Sequence, residues 1–120
     1  MRLDHINIRT DDVDAVSDTL VRLLGLEVGE RPPFTRQGVW LYGEDYPIVH
    51  ISKDEGTPAA GTGALNHIAF RGDDYDGLIA RLGEDGTDYQ DQVVPNTGVR
   101  QVFFRMTHDI MVEVDFDPAS

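Results

Sequence analysis

The chain has 120 residues, 40% of them hydrophobic, and no cysteine. It can bury one domain core without covalent staples, and disulfides and thiolate metal sites are excluded. Its 22 acidic residues against 10 basic ones, nine arginines and Lys53, leave a formal net charge of −12, which argues against nucleic acid or an anionic membrane as partner.

The opening residues Met1-Arg2-Leu3-Asp4-His5 run straight into an alternating pattern, with no apolar signal core, so the cytoplasm is the expected compartment. Residues 3–14 recur at an offset of 62: Leu3, His5, Ile6, Arg9, Asp11, Asp12 and Asp14 meet the identical types at Leu65, His67, Ile68, Arg71, Asp73, Asp74 and Asp76. An internal repeat sets the architecture before any single element does.

After the first alternating run, Val13, Val16, Leu20 and Leu23 step as one helix face. Asp11 or Asp12 is placed to cap that helix, and Gly25 to end it. Strand-like runs follow at about 26–34, 39–42 and 48–52. Gly56 to Gly63 has the composition of a linker between a first module at 1–55 and a second at 64–117. The second module repeats the order: an alternating run, a helix through Leu78, Ile79 and Leu82 with stops at Gly83 and Gly86, then runs at 88–94, 99–105 and 110–116. The expected fold class is α+β: two tandem βαβββ modules forming a curved mixed-sheet cup with the helices outside.

Side chains alternate faces along a strand. Ile6 and Ile8 oppose His5, and Val49 and Ile51 oppose His50. Ile68 and Phe70 oppose His67, and Ile110, Val112 and Val114 oppose Glu113. The spacing repeats as well: 45 residues separate His5 from His50, and 46 separate His67 from Glu113. Each module thus carries one metal-competent side chain on its first strand and one on its last. Two imidazoles and a carboxylate suit Fe(II), Zn, Mn, Co or Ni, so one divalent ion on His5, His67 and Glu113 is expected. His50 is either a fourth ligand or an acid or base beside the site. An ion so held keeps open positions for Lewis-acid chemistry on a small oxygen-rich molecule. His108, in the run Thr107-His108-Asp109, reads as a surface turn residue.

Leu3-Asp4-His5-Ile6, Leu23-Leu24-Gly25-Leu26, Leu65-Asn66-His67-Ile68-Ala69-Phe70, Val102-Phe103-Phe104 and Met111-Val112-Glu113-Val114 together resemble the vicinal oxygen chelate superfamily. That group includes glyoxalase I, the fosfomycin-resistance transferases, the type I extradiol dioxygenases and the bleomycin-resistance proteins. The resemblance covers nearly the whole chain and implies that His5, His67 and Glu113 are ligands. His50 stands where glyoxalase I has a glutamate, and Arg105-Met106-Thr107-His108-Asp109 departs from the usual turn.

The resemblance implies a metal-dependent lyase or isomerase of glyoxalase-like kind, with Glu113 and His50 as candidate catalytic residues. An Fe(II) extradiol-type dioxygenase is the alternative, and a metal-free drug-binding protein of the bleomycin-resistance kind is the third reading. Phe34, Trp40, Tyr42, Phe103 and Phe104 are candidates for an aromatic lining, with core positions as the bland alternative. Arg9, Arg71 and Arg100 are candidates for holding an anionic substrate, although local ion pairing accounts for Arg9 and Arg71 equally well. Small two-module relatives often form homodimers with shared sites, and the same is expected here.

Overall fold

Asp12 and Asp74, equivalent in the repeat, start the two helices of the computed structural model, which describes residues 1–56 and 60–118. The Asp12 carboxylate accepts from the Ala15 backbone N–H at 3.0 Å, and Asp74 accepts from that of Gly77 at 3.0 Å. Each satisfies an N–H that the helix itself leaves unpaired. Helix α1 spans Val13–Leu24 and α2 spans Tyr75–Asp85. Gly25 and Gly86 end them in the left-handed conformation, at φ 72° and 74°. Gly83, expected as a stop, lies inside α2; the turn closes only when the Gly86 N–H reaches the carbonyls of Gly83 and Leu82. Asp12→Ala and Asp74→Ala are each expected to cost about 1 kcal/mol in urea unfolding. No loss from either would mean that the cap contributes nothing.

The backbone divides into two compact units, Met1–Ala59 and Ala60–Ser120. The first holds β1 (Ile6–Thr10), α1, β2 (Glu27–Gly29), β3 (Gly38–Gly43) and β4 (Tyr46–Lys53), in sheet order β1-β4-β3-β2. The second holds β5 (Ile68–Gly72), α2, β6 (Tyr89–Val93), β7 (Arg100–Met106) and β8 (Ile110–Phe116), in order β5-β8-β7-β6. In each unit the first strand runs parallel to the last, and the other pairs are antiparallel. The helix supplies the crossover that a parallel pair needs. The architecture is therefore βαβββ twice, in two mixed sheets.

Buried aliphatic side chains follow the anticipated parity. In the first unit Val16, Leu20, Leu23, Leu41, Val49 and Ile51 are at most 2% exposed, with α1 packed on β3 and β4. In the second, Leu78, Leu82, Val102 and Val112 are buried, and the Tyr75 ring of α2 meets the Phe116 ring of β8 edge-on.

Three local expectations change. The run at 26–34 keeps strand geometry only to Gly29. Pro32 and Pro33 lack the N–H that a ladder needs, and a Cβ at Gly29 would meet the Tyr42 ring at 2.6 Å. His5 and His67 stand one residue before β1 and β5. His108 is half-buried at φ 62° in a short 3-10 turn, Thr107–Asp109, between β7 and β8.

Residues 57–59 of the linker lie outside the described residues. Its second half is tied down: the Gly61 N–H donates to the His108 carbonyl at 2.7 Å, and the Thr62 hydroxyl donates to the Leu65 carbonyl. No helix among the described residues is long and apolar enough to cross a membrane.

Candidate functional site

Parallel pairing of first and last strand fixes which side chains can meet. In the first unit Asn7 stands opposite His50, and antiparallel β3 sets Trp40 opposite His50 on its other side. His5, two residues before Asn7, lays its ring on His50 at 3.8 Å and 12°, and Trp40 stacks on the far face at 4.0 Å and 13°. His5 Nδ1 donates to Asp4 Oδ2 at 2.7 Å, and the Tyr46 hydroxyl donates to Asp4 Oδ1. These bonds hold the Asp4 carboxyl below the usual range and push the Tyr46 phenol up. His5 keeps Nε2 as its lone-pair nitrogen. His50 is arranged differently: its Nε2 donates to the Pro47 carbonyl at 3.1 Å. Burial above all, and the neighbouring His5, hold the His50 pKa below the ordinary value.

The second unit repeats the frame with other chemistry. Ala69 stands opposite Glu113, and Phe103 stands opposite Glu113 on the other side. His67 Nδ1 donates to Asn66 Oδ1 at 2.7 Å, and His67 Nε2 faces Glu113 Oε1 at 3.2 Å. Phe103 meets the His67 ring edge-on at 6.4 Å. Glu113 is only 7% exposed. Gln101 Nε2 donates to Glu113 Oε2 at 3.2 Å, while Gln101 Oε1 accepts from Gln92 Nε2 at 2.8 Å. Burial chiefly, then Asp115 two residues on, pushes the Glu113 carboxyl up; His67 and Gln101 pull the other way.

The His67–Glu113 contact has a specific requirement. With Nδ1 spent as donor on Asn66, a neutral His67 turns a lone pair toward a carboxylate oxygen. Two lone pairs 3.2 Å apart need a proton or a cation between them. Two neighbouring ligands each about 2.0–2.2 Å from one metal ion span a gap of this size, so the donor set fits a divalent ion. Within each unit the described residues bring two donors together, not three.

The remaining candidates divide. Arg9 pairs with Asp54 at 3.1 Å and Arg71 with Asp117 at 2.6 Å, repeat-related bridges to the residue that follows each closing strand. Arg100 is not on the Glu113 face: it shares the parity of buried Val102 and Phe104, and its guanidinium lies 3.5 Å from the Tyr75 ring centroid. Phe104 is core, at 3% exposure. The Tyr42 hydroxyl donates to the Glu30 carbonyl at 2.7 Å, and Phe34 is 55% exposed, tilted against Trp40.

Asp4, Asn66, Gln101 and Arg31 also stand at or beside these groups and were not anticipated. Asp4 and Asn66 carried a signal, since both repeats keep an oxygen acceptor immediately before the histidine. Gln101 shares the parity of Phe103. Arg31 sits in a proline-rich loop with no periodicity, so nothing in the sequence pointed to it.

The model of the Glyoxalase/Bleomycin resistance protein/Dioxygenase superfamily matches residues 4–104. The chain is 26% identical over 119 residues to Glyoxylase I 4 of Arabidopsis thaliana, an alignment that covers 93% of this chain and 68% of that protein. A glyoxalase/dioxygenase from Nostoc punctiforme superposes with a TM-score of 0.80 at 18% identity, covering 98% of this chain and 92% of the other. A glyoxylase/bleomycin resistance protein/dioxygenase domain from Frankia sp. EAN1pec gives 0.79 at 17% identity, covering 98% of both chains. The chain belongs to the Glyoxalase/Bleomycin resistance protein/Dioxygenase superfamily.

Proposed function

We propose that the chain is a metal-dependent, glyoxalase-like enzyme that isomerises or cleaves a small oxygen-rich molecule, with His5, His67 and Glu113 holding one divalent ion. The observation that carries this reading is the 3.2 Å approach of His67 Nε2 to Glu113 Oε1, with His67 Nδ1 already committed to Asn66. His5 repeats the arrangement through Asp4. Oxygen partners on the second nitrogen are how proteins orient imidazole ligands and raise their basicity. Zn, Ni, Mn, Co or Fe(II) would fit, and the ion would supply Lewis-acid stabilisation of an oxyanion or enediolate.

The side chains have separate tasks. Glu113, buried in the second unit, can take a proton from a carbon beside a carbonyl and return it to the adjacent carbon. Gln101 steers that carboxyl through Oε2. His50 donates Nε2 to the Pro47 carbonyl, which leaves Nδ1 as its lone-pair nitrogen, and it carries a ring on each face; on this reading it positions His5 and Trp40. Reading the chain as a binding protein has one observation in its favour: the Trp40–His50–His5 stack is a flat aromatic platform of the kind that holds planar ligands.

Elemental analysis after saturation with each metal, followed by turnover assays, tests the proposal. The expected result is about one equivalent of metal per chain and metal-dependent isomerisation of a hemithioacetal. Oxygen consumption with a catechol would replace it by the dioxygenase reading. Protein that stays metal-free under all five ions, yet binds planar ligands tightly, would replace it by the binding reading.

A further inference from the structure

Arg31 is one of the arginines of this strongly acidic chain that no carboxylate pairs with among the described residues. Arg9, Arg22, Arg71 and Arg105 each pair with a carboxylate. Among the described residues neither Arg31 nor Arg36 has such a partner. Arg31 Nη2 donates to the Arg36 carbonyl at 2.9 Å, and Arg36 Nη1 donates to the Lys53 carbonyl at 2.8 Å. Arg31 Nε is buried with no hydrogen-bond partner among the described residues. A buried donor left unpaired is costly unless something else satisfies it.

Arg31 and Arg36 line a cleft of about 670 Å³ in the first unit, together with Phe34, Trp40, His5 and His50. The one carboxylate on its wall, Asp4, is spent on His5 and Tyr46. Arg31 stands over the Phe34 ring at 5.1 Å, and the Phe34 ring lies 6.2 Å from Trp40. Gly38 makes room for this placement, since a Cβ there would come within 3.0 Å of Arg31 Nη2. A guanidinium with most of its five donors unspent, beside an aromatic wall, is a fork for a planar or tetrahedral oxyanion.

We propose that this cleft is an anion subsite: Arg31, supported by Arg36, receives a carboxylate or phosphate-type group, and Phe34 and Trp40 flank the unsaturated body that carries it. The subsite deepens the enzymatic reading above by giving the substrate class as an anionic, planar molecule, and it can be tested without metal.

Trp40 is the only tryptophan in the chain, so its fluorescence reports on this cleft. Chelator-treated, dialysed protein is titrated with benzoate, phenyl phosphate and the uncharged benzyl alcohol. A saturable change is expected with one or both anions and not with the alcohol; whichever of benzoate and phenyl phosphate binds more tightly identifies the oxyanion. Arg31→Gln is expected to weaken that binding about ten- to a hundredfold, Arg36→Gln by less, and Arg31→Lys to recover part of it. Metal stoichiometry should be unchanged in all three variants. Equal response to benzyl alcohol, unchanged anion affinity in Arg31→Gln, or no saturable response in wild type would each overturn the subsite. Failure of metal binding with anion binding intact would overturn only the metalloenzyme reading.

Discussion

Glu113→Ala and His67→Ala are each expected to lower metal affinity by at least about a hundredfold, since each removes a proposed direct ligand and effects of 10- to 100-fold already follow from loss of supporting residues. Isothermal titration with Zn or Ni measures this. Glu113→Gln separates the ligand role from the structural one. The carboxyl is buried and its pKa is raised, chiefly by burial and then by Asp115. A group with its pKa raised in the folded state favours folding below its unfolded value, and that advantage is lost as pH rises through the folded value. Metal-free wild type should therefore lose stability as pH climbs above the ordinary carboxylate range.

Glu113→Gln carries no charge to bury. The metal-free variant should be more stable than wild type at pH 8, by roughly 0.5–2 kcal/mol, and the difference should close at pH 4. Metal affinity should be lost in the variant at pH 8, where the ligands of wild type are deprotonated. A variant less stable than wild type at pH 8 would show that Glu113 is there for the fold, through Gln101 and His67, and would remove the argument that it is kept for a cation.

Chains carrying His5→Ala and Glu113→Ala, inactive alone, are expected to regain close to half of wild-type activity when assembled as a mixed dimer. The reason lies in how the donors divide: His67 and Glu113 meet in one unit, and His5 stacks on His50 in the other. The proposed site takes its third donor, His5, from a first unit, of the same chain or of a second copy. If the sites are shared between copies, one of the two sites in a mixed dimer contains no mutation. Differently tagged chains, purified through both tags and assayed with metal, test this. A proven mixed dimer with no activity would mean that each site is built within one chain; a chain that stays monomeric while active would reject the dimer itself. The net charge of −12 opposes association, but salt screens it over about 10 Å.

The sequence alone determined whatever depends on neighbours along the chain. The repeat was written in identical residues, the helix starts in Asp12 and Asp74, and their ends in Gly25 and Gly86. The separation of aliphatic from His and Glu parity followed from the two-residue period of a strand. That same period places Arg100 with Val102 and Phe104, on the face away from Glu113. The run at 26–34 ends as a strand at Gly29, because Pro32 and Pro33 have no N–H to give to a ladder.

Only tertiary structure decided what depends on register and rotamer. Parallel pairing of β1 with β4 and β5 with β8 brings His5 onto His50 and His67 against Glu113, and a parallel pairing joins residues some 45 positions apart that no local pattern links. Which imidazole nitrogen is left for a ligand follows from oxygen partners at Asp4, Asn66 and Pro47, set by side-chain direction rather than residue type. Arg31 owes its unpaired donor to a loop closed on itself by the Arg36 carbonyl. Composition can count such an arginine among nine; only packing shows that no acid among the described residues pairs with it.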